Sequence, residues 1–261
     1  MMNPNERATR ALAEFSSVET DVSVADVHIS PVEMAAHIDH TLLRPDATID
    51  QFHQLCGEAR EYCFASVCVH PSRVALCVEL LSEAASKVCT VVGFPQGATL
   101  SAAKAFEAEQ AMLLGAAEVD MVMNVGRLKE RDFTFVHADI ASVVQVVHAA
   151  GGLLKVIIET ALLSRDEKII ACALCKDAGA DFVKTSTGFN GGGATVEDIA
   201  LMRRVVGPQL GVKASGGVRT ADDALAMLRA GATRIGASSG VRIVQGLAGQ
   251  MDHGAAVGAH Y

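Results

Sequence analysis

This 261-residue chain has no long basic run and no apolar stretch of membrane length. Its net charge is -8 and its lysines and arginines are scattered. Nucleic acid and anionic bilayers are therefore not expected partners. The N-terminal segment, Met-Met-Asn-Pro-Asn-Glu-Arg-Ala-Thr-Arg, lacks the uninterrupted apolar core of an export signal. The most apolar region, 133–158, is broken by Asp139, Gln145, His148, Gly151, Gly152 and Lys155, and reads as a helix followed by a strand. Seven cysteines, an odd number, fit reduced thiols in the cytoplasm. Cys172 and Cys175 form a CxxC inside a helical pattern with no matching second pair, which suits buried packing.

Cofactor motifs are missing too. There is no GxxxxGK[ST] loop, no HExxH and no zinc spacing, and Gly191-x-Gly193-x-x-Val196 lacks the last glycine of a dinucleotide fingerprint. His37 and His40 bracket Asp39, but three residues apart on a strand they face opposite ways. They are expected to frame the strand end, not to share a metal. No metal and no cofactor are expected.

What is present is alternation. The chain is 50% hydrophobic, enough for a large core. Residues 1–30 are polar and weakly periodic, which reads as a flexible or loosely helical N-terminal extension. From Pro31 onward, eight short apolar runs (37–40, 64–69, 88–94, 118–124, 153–159, 182–185, 212–215 and 234–237) alternate with helical patterns. Ser164-Arg-Asp-Glu and Thr220-Ala-Asp-Asp read as capped helix starts. Strict alternation implies parallel strands with helical crossovers, and eight units over 31–247 close most naturally into a (β/α)8 barrel. Residues 248–261, rich in Gly, Ala and His, read as a flexible C-terminal tail.

Active sites of such barrels gather at the C-terminal ends of the strands. The polar residues on otherwise apolar runs are Asp39, Asp120, Asn124, Lys155, Glu159, Lys184 and Lys213. Alternation puts Asp120, Val122 and Asn124 on one side of their strand, and Lys155, Ile157 and Glu159 on one side of theirs. If those sides face the barrel axis, acids and lysines meet in one cluster. Singly, each residue could be a core ion pair; together on five strands they favour a catalytic network. Converging ammonium groups repel, and a lysine relieved of its proton is a nucleophile for carbonyls. Gly188, Gly216, Gly217 and Gly236, with Ser238 and Ser239, follow the later strands. They suit either tight turns or a phosphate site of backbone N–H groups and hydroxyls.

Several phrases, in order from about residue 37 to 240, resemble the 2-deoxyribose-5-phosphate aldolase family. They are Ile38-Asp39-His40-Thr41-Leu42-Leu43, Val67-Cys68-Val69-His70-Pro71, Val92-Gly93-Phe94-Pro95 and Glu118-Val119-Asp120-Met121-Val122. Further on come Leu154-Lys155-Val156-Ile157-Ile158-Glu159-Thr160, Val183-Lys184-Thr185-Ser186-Thr187-Gly188-Phe189, Lys213-Ala214-Ser215-Gly216-Gly217-Val218-Arg219-Thr220 and Gly236-Ala237-Ser238-Ser239. The resemblance implies a class I lyase that cleaves 2-deoxy-D-ribose 5-phosphate to glyceraldehyde 3-phosphate and acetaldehyde, in deoxyribonucleoside breakdown. It implies that Lys184 forms the Schiff base and that Lys213 favours its neutral form and relays protons. Asp120 would move protons with a water, supported by Lys155 and Asp39. Gly188, Gly216, Gly217, Gly236, Ser238 and Ser239 would cradle phosphate, with Arg219 a further candidate. Some family members carry a lysine where this chain has Phe189. Tyr261, the last residue, matches a tyrosine that reaches the site in some members. Cys68 matches a position open to attack by unsaturated aldehydes. A homo-oligomer, dimer or tetramer, is expected. The competing readings are another Schiff-base aldolase, a transaldolase, a phosphosugar isomerase, and a phosphosugar-sensing barrel without chemistry.

Overall fold

A computed structural model describes residues 2–17 and 28–258, the side chains of 250–258 excepted. Eight parallel strands close into a barrel in sequence order: β1 (Ile38–Leu42), β2 (Ser66–Val69), β3 (Lys87–Val92), β4 (Glu118–Val122), β5 (Leu153–Ile157), β6 (Phe182–Lys184), β7 (Gly211–Ser215) and β8 (Arg234–Ala237). β1 pairs with both β2 and β8, which closes the cylinder. This is the (β/α)8 architecture that the alternation predicts.

Val67, Val119, Leu154, Val156, Val183, Val212, Ala214 and Ile235 are buried and join the core shared with the surrounding helices. The alternate residues point into the barrel, and there the polar side chains collect.

Helix starts follow the expected chemistry. Ser164 and Glu167 form a reciprocal capping box at helix Arg165–Asp177, and Thr220 and Asp223 form another at Ala221–Arg229. Cys172 and Cys175 are fully buried on the first of these, and burial pushes both thiols up from their ordinary range. Among the described residues, no helix is long and apolar enough to cross a membrane.

The structure adds detail at the N-terminal end and departs from the sequence reading at the C-terminal end. Within residues 1–30, read as flexible or loosely helical, Pro4–Phe15 is a regular helix, capped by Asn3 with Glu6 returning the bond. Its narrow Ala8 and Ala11 face lets it lie close against helices Phe133–Ala149 and Arg165–Asp177, where Arg7 pairs with Asp177 at 2.6 Å. Leu12 and Phe15 continue the same stripe and pack against the core, at the helical spacing i, i+3, i+4, i+7 with Ala8 and Ala11. At the other end, the last helix spans Gly240–Gly258 instead of stopping at Leu247, since no proline interrupts it. Tyr261 lies outside the described residues.

Candidate active site

Strand register assembles the charged residues. Asp120 on β4 sits opposite Lys155 on β5, Lys184 on β6 opposite Lys213 on β7, and Lys213 opposite Arg234 on β8. Asp39 closes the ring from β1. Asp39, Asp120, Lys155 and Lys213 are fully buried, and Lys184 is nearly so.

Asp120 is the hub. Its Oδ2 lies 2.7 Å from the Nζ of Lys184 and 2.7 Å from that of Lys213, while its Oδ1 accepts from Lys155 at 2.8 Å. The two lysines therefore do not confront each other bare; a carboxylate oxygen stands between them. Asp39 lies 2.5 Å from Lys213, accepts from Ser66 at 2.7 Å and takes Arg234 at 2.5 Å. Lys155 also reaches Glu118 at 2.6 Å, and Arg234 reaches Glu118 at 3.0 Å.

Burial works against charge on Asp120, yet Lys155, Lys184 and Lys213 outweigh it and hold the carboxyl well below the usual carboxylate range. Asp39 is likewise lowered, with burial overcome by Lys213, Lys155 and Arg234. For Lys155 and Lys213 burial disfavours the ammonium, but the surrounding carboxylates prevail, Asp120 foremost, and keep both groups above the ordinary lysine range.

Lys184 differs in two respects. It touches one carboxylate, whereas Lys213 touches two and Lys155 three. It is also the lysine that lines an open cavity of about 340 Å³ at the C-terminal end of the barrel. The same cavity is lined by Gly188, Gly216, Gly217, Gly236, Ser238 and Ser239, the whole expected glycine and serine set, and by Arg219. Gly216 and Gly217 both have positive φ, +84° and +82°, a conformation that side-chain-bearing residues rarely adopt. Ser238 and Ser239 precede the first turn of helix Gly240–Gly258, where the Ile243 N–H donates to Ser239 O.

Two expected members stay out of the cluster. β5 ends at Ile157, and Glu159 adopts φ +57°, which swings its carboxylate to the loop after β6. There it accepts from Thr187 N at 3.1 Å, Thr187 Oγ1 at 2.5 Å and Asn190 Nδ2 at 2.9 Å. β4 ends at Val122, and Asn124 caps helix Val125–Lys129 by accepting from Arg127 N. In both cases the strand stops before the alternation can carry so far. His37 and His40 part as expected, to Thr233 O and Glu58. Cys68 is fully buried beside Cys89 in register and is not part of the cavity wall.

Sequence reasoning missed Glu118, Arg234 and Cys89 as cluster members. Glu118 shares the parity of Asp120, and Arg234 opens an apolar strand, so both carried a readable signal. Cys89 accepts from Lys155 at 3.2 Å and looks like any core residue in sequence.

A closed parallel barrel with buried lysines beside a glycine-lined cavity defines a Schiff-base aldolase type of site. Residues 33–246 match the DeoC/LacD family aldolase, so the chain belongs to that family. It is 62% identical over 214 residues to a deoxyribose-phosphate aldolase of Halalkalibacterium halodurans, covering 82% of this chain and 95% of that one. It is 58% identical over 217 residues to that of Thermococcus gammatolerans, covering 82% and 96%. Among solved structures, the tetrameric deoxyribose phosphate aldolase of Aeropyrum pernix superposes with a TM-score of 0.78 at 30% identity, covering 92% of this chain and 95% of that one.

Proposed function

We propose that this chain is a class I aldolase that reversibly cleaves 2-deoxy-D-ribose 5-phosphate to D-glyceraldehyde 3-phosphate and acetaldehyde, a step in deoxyribonucleoside breakdown. The observation that carries it is the position of Lys184, with one face on Asp120 and Lys213 and the other on the cavity. The cluster holds four cations, Lys155, Lys184, Lys213 and Arg234, against three carboxylates, Asp39, Glu118 and Asp120. A neutral Lys184 balances that charge, and it is the member with the fewest carboxylate contacts.

Neutral Lys184 adds to carbon 1 of the open-chain sugar, and loss of water leaves a protonated imine. Electrons flow into that imine as the bond between carbons 2 and 3 breaks, and Asp120, through a water, takes the proton of the carbon 3 hydroxyl. Lys213, bonded to the same carboxylate oxygen, returns protons along the relay. Glyceraldehyde 3-phosphate leaves, the enamine is protonated, and hydrolysis frees acetaldehyde. Lys155 and Asp39 hold Asp120 and Lys213 in place. Gly188, Gly216, Gly217, Gly236, Ser238 and Ser239 hold the phosphate by backbone N–H groups and hydroxyls, so its binding energy orients the reacting carbons. Arg219 contributes charge at the rim, where Phe189 offers none. Tyr261 acts as a proton donor or acceptor for the enamine carbon.

The chemistry uses no metal. The cysteine and carboxylate groups close enough to share an ion, Cys68, Cys89 and Asp120 or Asp39, Cys89 and Glu118, have their carboxylates committed to lysine and arginine. The protein acts in the cytoplasm on small molecules, with no nucleic-acid or membrane partner, as a homo-oligomer; the tetramer described for the Aeropyrum relative supports assembly.

Acetaldehyde and borohydride together test this reading. The expected result is a reduced ethyl adduct on the peptide carrying Lys184; an unlabelled protein, or label elsewhere, overturns it. Turnover survives prolonged chelation, and a loss that zinc restores would contradict the metal-free route.

A further inference from the structure

Ser215 lies two residues beyond Lys213 on β7, so its side chain points to the same inward side, while Val212 and Ala214 join the core outside. Thr185 pins its backbone from both directions: the Thr185 hydroxyl donates to Ser215 O at 2.9 Å and accepts from Ser215 N at 3.0 Å. The residue is 6% exposed and lines the cavity, yet its Oγ has no hydrogen-bond partner in the protein. Burying a hydroxyl without a bond is unfavourable, and such groups are few in folded proteins. Gly236, opposite it in register, leaves room beside the buried hydroxyl, since a Cβ there would collide with Ser215 Oγ.

We propose that Ser215 is a specificity-determining residue whose Oγ bonds the hydroxyl on carbon 4 of the sugar, which becomes the 2-hydroxyl of glyceraldehyde 3-phosphate. The assignment rests on the aldolase reading. Carbon 1 is fixed at Lys184, level with Lys213, and the phosphate lies at Gly216 and Gly217, next to Ser215. Two residues along a strand span about 6.6 Å, so Ser215 stands level with the middle of the substrate. The carbon 3 hydroxyl is engaged by Asp120 and its water. The carbon 4 hydroxyl remains, and a serine that both donates and accepts suits a neutral hydroxyl.

The test runs in the condensation direction, with acetaldehyde and either glyceraldehyde 3-phosphate or 3-phosphonooxypropanal, which lacks the 2-hydroxyl. The wild-type protein favours the natural aldehyde by about tenfold in kcat/KM, the value of one hydrogen bond. In Ser215→Ala that ratio falls to about twofold or less. A ratio that persists in the variant, or an equal loss on both aldehydes, overturns the assignment. Unphosphorylated glyceraldehyde is the third substrate: Ser215→Ala impairs its use as well, and sparing it would mean that Ser215 serves the phosphate, also overturning the assignment. Ser215→Cys, similar in shape with a weak donor, gives the same collapse and replaces the alanine variant should that one not fold. Acetaldehyde trapping on the wild-type protein separates the two levels. Failed trapping sinks the aldolase reading, whereas intact trapping with an unchanged ratio sinks only the role of Ser215.

Discussion

In the proposed mechanism Asp120 has two roles that pull against each other. As a base it must accept a proton, yet three ammonium groups hold its carboxyl well below the usual range. The conflict eases when Lys184 becomes neutral, because one of the three cations is then lost and the carboxylate regains basicity. Proton transfer is thus tied to the same event that creates the nucleophile. Asp120→Asn keeps the shape and one of the two acceptor oxygens but removes the charge. The expected result is a fall in kcat of about 10²–10⁴-fold, the range for a positioned acid–base group, with a much smaller change in KM. Steady-state kinetics on the phosphosugar checks this, and a loss confined to KM would reduce Asp120 to a binding group.

At the scale of elements, the loop after β6 depends on a residue that strand periodicity misassigned. Glu159 accepts three hydrogen bonds from Thr187 and Asn190, and Thr187 Oγ1 in turn accepts from Phe189 N at 3.1 Å. This carboxylate sets the shape of the segment that carries Gly188 to the cavity. Glu159→Gln turns an amide donor toward donors and loosens that segment. KM for the phosphosugar rises about tenfold, the value of one bond, with a smaller effect on kcat; an unchanged KM would show that the loop holds without it. What was legible in the sequence follows from the same physics. Asp39, Asp120, Lys155, Lys184 and Lys213 stood out because charge on an apolar strand demands an explanation, and register then placed them together. Glu159 and Asn124 were misplaced because alternation holds only while the strand lasts, and backbone hydrogen bonding decides where it stops. The helix Pro4–Phe15 was legible in the i, i+3, i+4, i+7 stripe Ala8, Ala11, Leu12 and Phe15, which the reading of residues 1–30 as weakly periodic passed over. That helix sits on the barrel's flank, away from the cavity residues. Ala8→Glu places a charge at a buried contact and lowers stability by about 1–3 kcal/mol, read as a drop in Tm. The kcat/KM stays within about twofold, since half an order of magnitude is already near 0.7 kcal/mol at the site. A matching loss of activity would tie the helix to catalysis.

At the scale of the molecule, the buried cluster makes stability depend on pH from both directions. Asp39 and Asp120 titrate near 3.8 when unfolded and lower when folded. Their stabilising contribution is therefore complete above about pH 4 and is lost as pH falls through the folded values. Lys155 and Lys213 titrate near 10.5 when unfolded and higher when folded, so theirs is complete below that value and is lost as pH rises. The buried thiols Cys172 and Cys175, ordinarily near 9.0 and pushed up by burial, start the alkaline decline earlier, because the unfolded chain sheds their protons first. Thermal unfolding across pH should show a plateau between about 4 and 9 with losses on both sides. Asp39→Asn lowers the whole curve, since Lys213 and Arg234 lose a charged partner, but it flattens the acid side because one titrating carboxylate is gone. An acid limb as steep as that of the wild-type protein would mean that the surface carboxylates, not the interior of the barrel, govern acid unfolding.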